Sequence, residues 1–257
     1  LLATLAVTLM NDTLIVRVTI GAVNFLKGAV KMSAEKSANI VTSPVRAASE
    51  PHIALSLVLD VSSSMRGDSI TLLNKAVNDL ISQLKKDTRL QNIIDLAIFV
   101  FGAQGRENVY QPFRAIKDCD TVKLVAEDNS SHVVNALEKA IEFMRNRCSI
   151  YNRGGGAYKP WIVLITDGEF NDDSAEIHRI GEKIKELETR GKLHFFGLGT
   201  DEYDRGQLED LTSFPNHVID ANAANFDEFF SWVGNSMVSV SKSAIDDAMD
   251  FLPPKIT

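Results

Sequence analysis

Hydrophobic and polar positions change period in a regular way from residue 53 onward. IALSLVLD (53–60) is an almost unbroken apolar run of strand length, as expected of a strand buried on both faces. Ile70, Leu73, Val77, Leu80, Ile81 and Leu84 then recur at helical spacing, with Asn, Lys and Asp between them. IIDLAIFVF (93–101), closed by Gly102, reads as a second buried strand, and NVYQPFRAI (108–116) as an edge strand, where Pro112 is tolerated. Val133, Val134, Leu137, Ile141 and Met144 mark a helix over 131–147. WIVLITDG (161–168) is a third buried strand, and Ile177, Ile180, Ile184 and Leu187 form a helix ended by Gly191 just past Arg190. A strand at 193–200, a short helix near 207–211, a strand at 217–220 and a helix at 225–242 complete the series. Strands alternating with helices predict right-handed crossovers. The expected fold is therefore α/β: a Rossmann-like, doubly wound, mostly parallel central sheet flanked by helices.

The first fifty residues do not follow that alternation. LATLAVTL and TLIVRVTI flank Asn11-Asp12 and read as a β-hairpin rich in β-branched residues. Two other readings stay open: the tail of a signal peptide, although no basic n-region or small-residue cleavage site is evident, and a start at Met32. The run LLATLAVTLM is too short to span a bilayer, so no membrane span is expected. Residues 33–51 read as a linker. The organisation expected is an N-terminal extension (1–50), one domain (51–243) and a C-terminal tail (244–257).

Composition narrows the function classes. A formal charge of −7 lacks the basic footprint of a nucleic-acid binder, and Lys85-Lys86, the only adjacent basic pair, sits on a helix face among acids. Cys119 and Cys148 do not make a disulfide framework, which suits free thiols in a reducing, cytoplasmic setting. The histidines never fall at a metal-ligand spacing, which argues against a zinc enzyme. The glycine-rich stretch NRGGGAYKP (152–160) precedes a strand and lacks a G-K-[ST] ending, so it reads as a connector, not a phosphate cradle. Trp161, Trp232, Phe229 and Phe230 fall at core spacing.

The chemistry lies at the strand ends. Ligands of such sheets bind beyond the carboxyl ends of the strands, and two of these strands run into an aspartate: Asp60 after SLVL and Asp167 after VLIT. Asp60, Ser62 and Ser64 form D-x-S-x-S, which aims alternate side chains of a turning loop at one point. Carboxylates and hydroxyls are hard ligands that suit Mg²⁺, with Mn²⁺ as an alternative, at about 2.0–2.1 Å. Glu169, Asp172, Asp173 and Asp68 stand nearby in sequence. They read either as a surrounding shell for the cation or, for Asp172 and Asp173, as acids favouring the start of the following helix.

LVLDVSSSM with ITDGE resembles a von Willebrand factor A (VWA) domain with a metal-ion-dependent adhesion site. That family takes a threonine from a third loop, just before a helix bearing an Ala-Leu pair. DNSSHVVNALEKAI fills this slot, and counting back from Ala136-Leu137 places Ser131 on the threonine, with Ser130 as the alternative. Serine keeps the hydroxyl but loses the methyl that stiffens χ1. The resemblance thus implies a metal set of Asp60, Ser62, Ser64, Ser131 and Asp167. RNRCSIYNRGGGAYKPWIVLITDGEFND, FFGLG and NFDEFFSWVGNSMVSVSKS further resemble the bacterial TerY/YegL-type VWA proteins. That likeness implies work in protein complexes associated with tellurium resistance, beside kinases and phosphatases.

Three function classes follow. In a non-enzymatic adhesion module, Mg²⁺ would keep one position open for an Asp or Glu of a partner protein. A haloacid-dehalogenase-like phosphatase would need a second acid two residues after Asp60, where the chain has Ser62. A scaffold would carry a metal site with no binding role. The adhesion module is the expectation, with no catalytic residues.

Overall fold

The structure, a computed structural model, describes residues 49–103, 108–127, 131–200, 203–222 and 225–245, together with Phe251, Pro253 and two N-terminal strands. The chain divides into two compact units, Leu1–Ile40 and Val41–Thr257. In the first, β1 (Ala6–Met10) pairs antiparallel with β2 (Thr13–Arg17), Met10 opposite Thr13. Most of the linker read at 33–51 lies outside the described residues.

The second unit is a six-stranded sheet. Its strands are β3 (Ile53–Asp60), β4 (Ile94–Phe101), β5 (Val109–Ala115), β6 (Trp161–Thr166), β7 (His194–Thr200) and β8 (Val218–Ala221), in the order β5-β4-β3-β6-β7-β8. All pairs are parallel except β4–β5, whose antiparallel ladder is interrupted by register shifts near Ile98. The edge position of β5 explains how it tolerates Pro112.

β3, β4 and β6 are buried along their whole length because helices cover both faces of the sheet. Ile53, Leu55, Leu57 and Leu59 of β3 join one core with Leu73, Val77 and Leu80 of α1 (Asp68–Lys85) and Phe229, Val233 and Met237 of α6 (Phe226–Lys242). The short α2 (Leu90–Ile93) leads into β4. On the other face α3 (Val134–Tyr151) packs on β3 and β4 and against α4 (Ser174–Thr189), and Phe143 meets Phe99 edge-on at 5.5 Å. The short α5 (Arg205–Glu209) packs on β7 and β8. Each buried Leu, Ile, Val or Phe contributes about 1.5–3 kcal/mol, so the two faces hold the sheet from both sides. Trp161, Phe229 and Phe230 are buried, with Trp232 at the edge of the same cluster.

The base of the sheet, at the amino ends of the parallel strands, carries two further features. The glycine-rich connector makes room for the incoming chain: a Cβ on Gly155 would lie 2.2 Å from the Glu50 backbone. Beside it a charge is buried. Asp95, 1% exposed, accepts hydrogen bonds from Arg147 Nε (2.8 Å) and Tyr151 Oη (2.5 Å), with Arg147 Nη2 at 2.6 Å. His52 stacks on Tyr151 at 4.9 Å. Burial, and then the Asp95 charge, push the Tyr151 phenol well above its usual range, so it stays a neutral donor.

The chain winds from β3 outward to β4 and β5, then returns to place β6 on the other side of β3. The strand order therefore reverses between β3 and β6. Their carboxyl ends carry Asp60 and Asp167, so the topology alone puts both carboxylates at the crevice where such sheets bind ligands.

Candidate metal site

Three loops meet at that crevice. The first leaves β3 at Asp60, turns through a single 3₁₀ turn (Ser63–Met65) and enters α1. The turn places the two alternate serines side by side, their Oγ atoms sharing a hydrogen bond at 3.0 Å, while the Ser62 backbone N–H donates to Asp60 Oδ1 at 2.9 Å. The loop is set against the end of β4: Val61 N–H donates to Phe101 O at 2.9 Å. Gly102 follows with φ +80°, and a Cβ there would lie 2.6 Å from the Ser62 nitrogen. Only glycine fits both the conformation and the space.

The second loop follows β6. Ser64 Oγ donates to Asp167 Oδ1 at 2.7 Å, joining residues 103 apart in sequence. The third contributes Ser131, 7% exposed, whose hydroxyl donates to Asp60 Oδ2 at 3.4 Å. All five expected residues thus converge. Asp60, Ser62, Ser131 and Asp167 are buried and Ser64 is exposed, so the site has a closed floor and an open mouth. Ser130 lies outside the described residues.

Sequence reasoning missed two contributors, Thr166 and Asn171, and named a third, Asp172, without its partners. Thr166, wholly buried, donates to Asp60 Oδ2 at 2.8 Å; as the last residue of a strand it reads simply as a β-former. Asn171 pairs with Ser131 on both sides: Ser131 N–H donates to its Oδ1 at 2.8 Å, and its own N–H donates to Ser131 O at 3.0 Å. Asp172 differs from its expected place. Asp173 caps the adjoining α4, its Oδ1 accepting from Ala175 N at 2.8 Å, but Asp172 reaches across to α3. Its Oδ2 accepts from Val133 N at 2.6 Å and Val134 N at 3.4 Å. That cross-loop cap is why the helix begins at Val134 and not at 131, leaving Ser131 free to face Asp60. Asp68 lies in the first turn of α1, and Glu169 is exposed.

The donor set fits a hard cation. Asp60 is 0% exposed, and among the described residues the groups that hydrogen-bond it are neutral: the backbone N–H of Ser62 and the hydroxyls of Ser62, Ser131 and Thr166. Burial accordingly raises its carboxyl above the usual value, with those hydrogen bonds pulling the other way. Two carboxylates and three hydroxyls around one point offer oxygen only. Among the described residues no group of three His, Cys, Asp or Glu gathers to hold a metal, here or elsewhere, so the crevice relies on its hydroxyls beside two carboxylates.

The von Willebrand factor type A domain model matches residues 55–232. The chain belongs to the VWA domain family. No curated protein matches it. Several solved structures share the VWA fold. They include the von Willebrand factor domain of the type V pili tip protein Mfa5 from Porphyromonas gingivalis (11% identity, TM-score 0.54, covering 79% of this chain and 99% of that one). The pilus adhesin SpaC from Lactobacillus rhamnosus GG is similar at 13% identity and TM-score 0.55, over 75% of this chain and 31% of that one. Proximal thread matrix protein 1 from the mussel byssus, in a form with a zinc-occupied MIDAS motif, aligns at 18% identity and TM-score 0.47 over 72% of this chain. The chain spans 48% of the length of that mussel protein. At such identities the first two likenesses show the fold alone, and nothing is drawn from the third.

Proposed function

We propose that this VWA domain is a metal-dependent protein-binding module, not an enzyme. The observation that carries the reading is the convergence at the switch point: Ser64 Oγ lies 2.7 Å from Asp167 and Ser131 Oγ 3.4 Å from Asp60, with a wholly buried carboxylate whose hydrogen-bond partners among the described residues are neutral. Asp60, Ser62, Ser64, Ser131 and Asp167 would hold the cation, Mg²⁺ or Mn²⁺. When bound, such an ion supplies a Lewis-acidic position for an Asp or Glu side chain of a partner protein. Three of the five ligands are neutral hydroxyls, so the two carboxylates only just balance a divalent ion, which can still accept an outside oxygen. Ser64 and the exposed Ser63 sit at the mouth, where a partner's carboxylate would arrive. An acidic chain can in this way take an acidic partner.

The finer reading is a TerY/YegL-type protein working in a bacterial tellurium-resistance-type complex, with kinases or phosphatases among its partners. It rests on the Pro160-Trp161 entry to β6 and the F-x-x-F-F-x-W run of α6. A cytoplasmic setting is supported by Cys119 and Cys148, both free, with burial pushing their thiols up to about 11 and about 12. Among the described residues no helix is long and apolar enough to cross a membrane. The haloacid-dehalogenase alternative has no acid where it needs one: Ser62 stands two residues after Asp60 and bonds Ser64.

Calorimetric titration of Mn²⁺ and Mg²⁺ into the full chain tests the proposal. One site is expected in the wild type and none in Asp60→Ala. Equal heat from both proteins, or none from the wild type at millimolar metal, would overturn it in favour of a scaffold.

A further inference from the structure

The helix that leaves the first loop also grips the segment that leads to the third. Asn74 and Asn78 lie one turn apart on α1, and each uses both ends of its side-chain amide on one backbone residue of segment 119–127. Val122 N–H donates to Asn78 Oδ1 at 2.8 Å while Asn78 Nδ2 donates to Val122 O at 2.9 Å. Leu124 N–H donates to Asn74 Oδ1 at 2.7 Å while Asn74 Nδ2 donates to Leu124 O at 2.8 Å. The spacings match: four residues along a helix advance about 6 Å, and two residues of extended chain about 6.6 Å. Two asparagines thus stand in for the peptide groups of a neighbouring strand. Asparagine suits the task because its short amide holds a donor and an acceptor in one plane; aspartate lacks the donor and leucine lacks both.

Both ends of the clamped segment are also fixed. Lys85 Nζ donates to Cys119 O at 2.7 Å at the lower end, and Glu127 N–H donates to Val61 O at 2.8 Å at the upper end, beside Ser62. Between them Lys123 N–H donates to Tyr110 Oη at 3.0 Å on the opposite side. Ser131 follows Glu127 by four residues. Asparagine in a helix interior lowers propensity by several tenths of the alanine–glycine range, so its presence at both positions calls for a tertiary reason.

We infer that Asn74 and Asn78 are positioning residues of the metal site, tying the first loop to the third through the register of segment 119–127 on α1. The inference rests on the metal-binding reading above. A slip of one residue along the clamp would turn alternate side chains around and carry Glu127 off Val61. Ser131 would then lose its place opposite Asp60.

The test uses the full chain as wild type, Asn74→Leu/Asn78→Leu, and the single variants Asn74→Asp and Asn78→Asp, with Mn²⁺ as the probe. Hydrogen exchange should show loss of amide protection at Val122 and Leu124 in the double variant, with β3 and β6 still protected. Mn²⁺ affinity should fall about tenfold, as for other outer-shell substitutions. The Asp variants, which keep the acceptor, should lie between. Lost protection with unchanged Mn²⁺ affinity would overturn the positioning role, and unchanged protection would overturn the clamp itself. Wild-type protein that shows the protection but binds no Mn²⁺ would instead overturn the metal-binding reading, and the positioning role with it. Should the double variant fail to fold, the single Asp variants carry the same comparison.

Discussion

The two ends of the central sheet each bury an aspartate, and they treat it in opposite ways. At the base, Asp95 is 1% exposed and meets the Arg147 guanidinium at 2.6 Å, with Tyr151 donating as well. At the top, Asp60 is 0% exposed and, among the described residues, is hydrogen-bonded only by neutral groups. At the base charge meets charge within the chain, and the cluster joins β4 to α3. Among the described residues, the hydrogen bonds to Asp60 come from neutral donors alone. Burial raises the pKa of a carboxyl in that condition, and a bound cation would offset the cost of its charge. That contrast separates a structural aspartate from one available for binding.

The largest expected effect is at the base. Arg147→Met would leave Asp95 buried without its counter-charge and should cost about 3–5 kcal/mol in urea unfolding. Adding Asp95→Leu should recover most of that loss. A cost below about 1 kcal/mol would show that the base is not a matched pair and would weaken the contrast.

At the top the sign should reverse. Mn²⁺ at about a hundredfold over Kd should stabilise the wild type by about 2.7 kcal/mol, seen as a rise in Tm, and should leave Asp60→Asn unmoved. In chelator, Asp60→Asn should melt at or above the wild type, because the amide escapes the burial cost that raises the carboxyl's pKa. Linkage gives the pH dependence. With the folded value above 3.8, Asp60 contributes stability to the metal-free protein that is fully present below 3.8 and is lost as pH rises through the folded value. Proton and cation compete for the same oxygens, so Mn²⁺ affinity should weaken by up to about tenfold per pH unit as pH falls through that range. A flat profile would remove Asp60 from the ligand set.

Gly102→Ala should come next. It places a Cβ 2.6 Å from the Ser62 nitrogen at φ +80°, at an expected cost of about 1–3 kcal/mol together with weaker Mn²⁺ binding. Equal Mn²⁺ affinity in a folded variant would show that the first loop can shift without consequence. The smallest effect belongs to Ser131→Thr, which restores the family's usual residue. Affinity measured by calorimetry should be unchanged or tighter by no more than about threefold, on the order of the rotamer freedom that one methyl removes. A large loss would point to a different serine.

Much of this was legible from residue order. The run IALSLVLD is β3 over 53–60, and the helix read at 174–190 is Ser174–Thr189. The five expected metal residues lie together. Less legible were the groups that hold them. Asn171 and Asp172 sit in a stretch that reads as the start of the next helix, yet they serve Ser131 and the α3 terminus some forty positions back. Thr166 carries no signal beyond strand propensity, and the fit of Gly102 against Ser62 needs the β3–β4 pairing to be seen.

The sequence by itself determined which segments are strands and helices, because periodicity is set by neighbours three or four residues away. It also determined that two strands end in carboxylates beside hydroxyls. It did not determine which buried aspartate is satisfied. Asp60 ends a strand beside hydroxyls and Asp95 stands near the start of one, but neither neighbourhood names the distant group that meets it. Asp95 is neutralised by an arginine 52 residues away, Asp60 is met by hydroxyls 71 and 106 residues away, and these partners are chosen by how α3 and β6 pack on the sheet. Charge compensation in a buried site is a property of contacts across the fold, and only the tertiary structure supplies them.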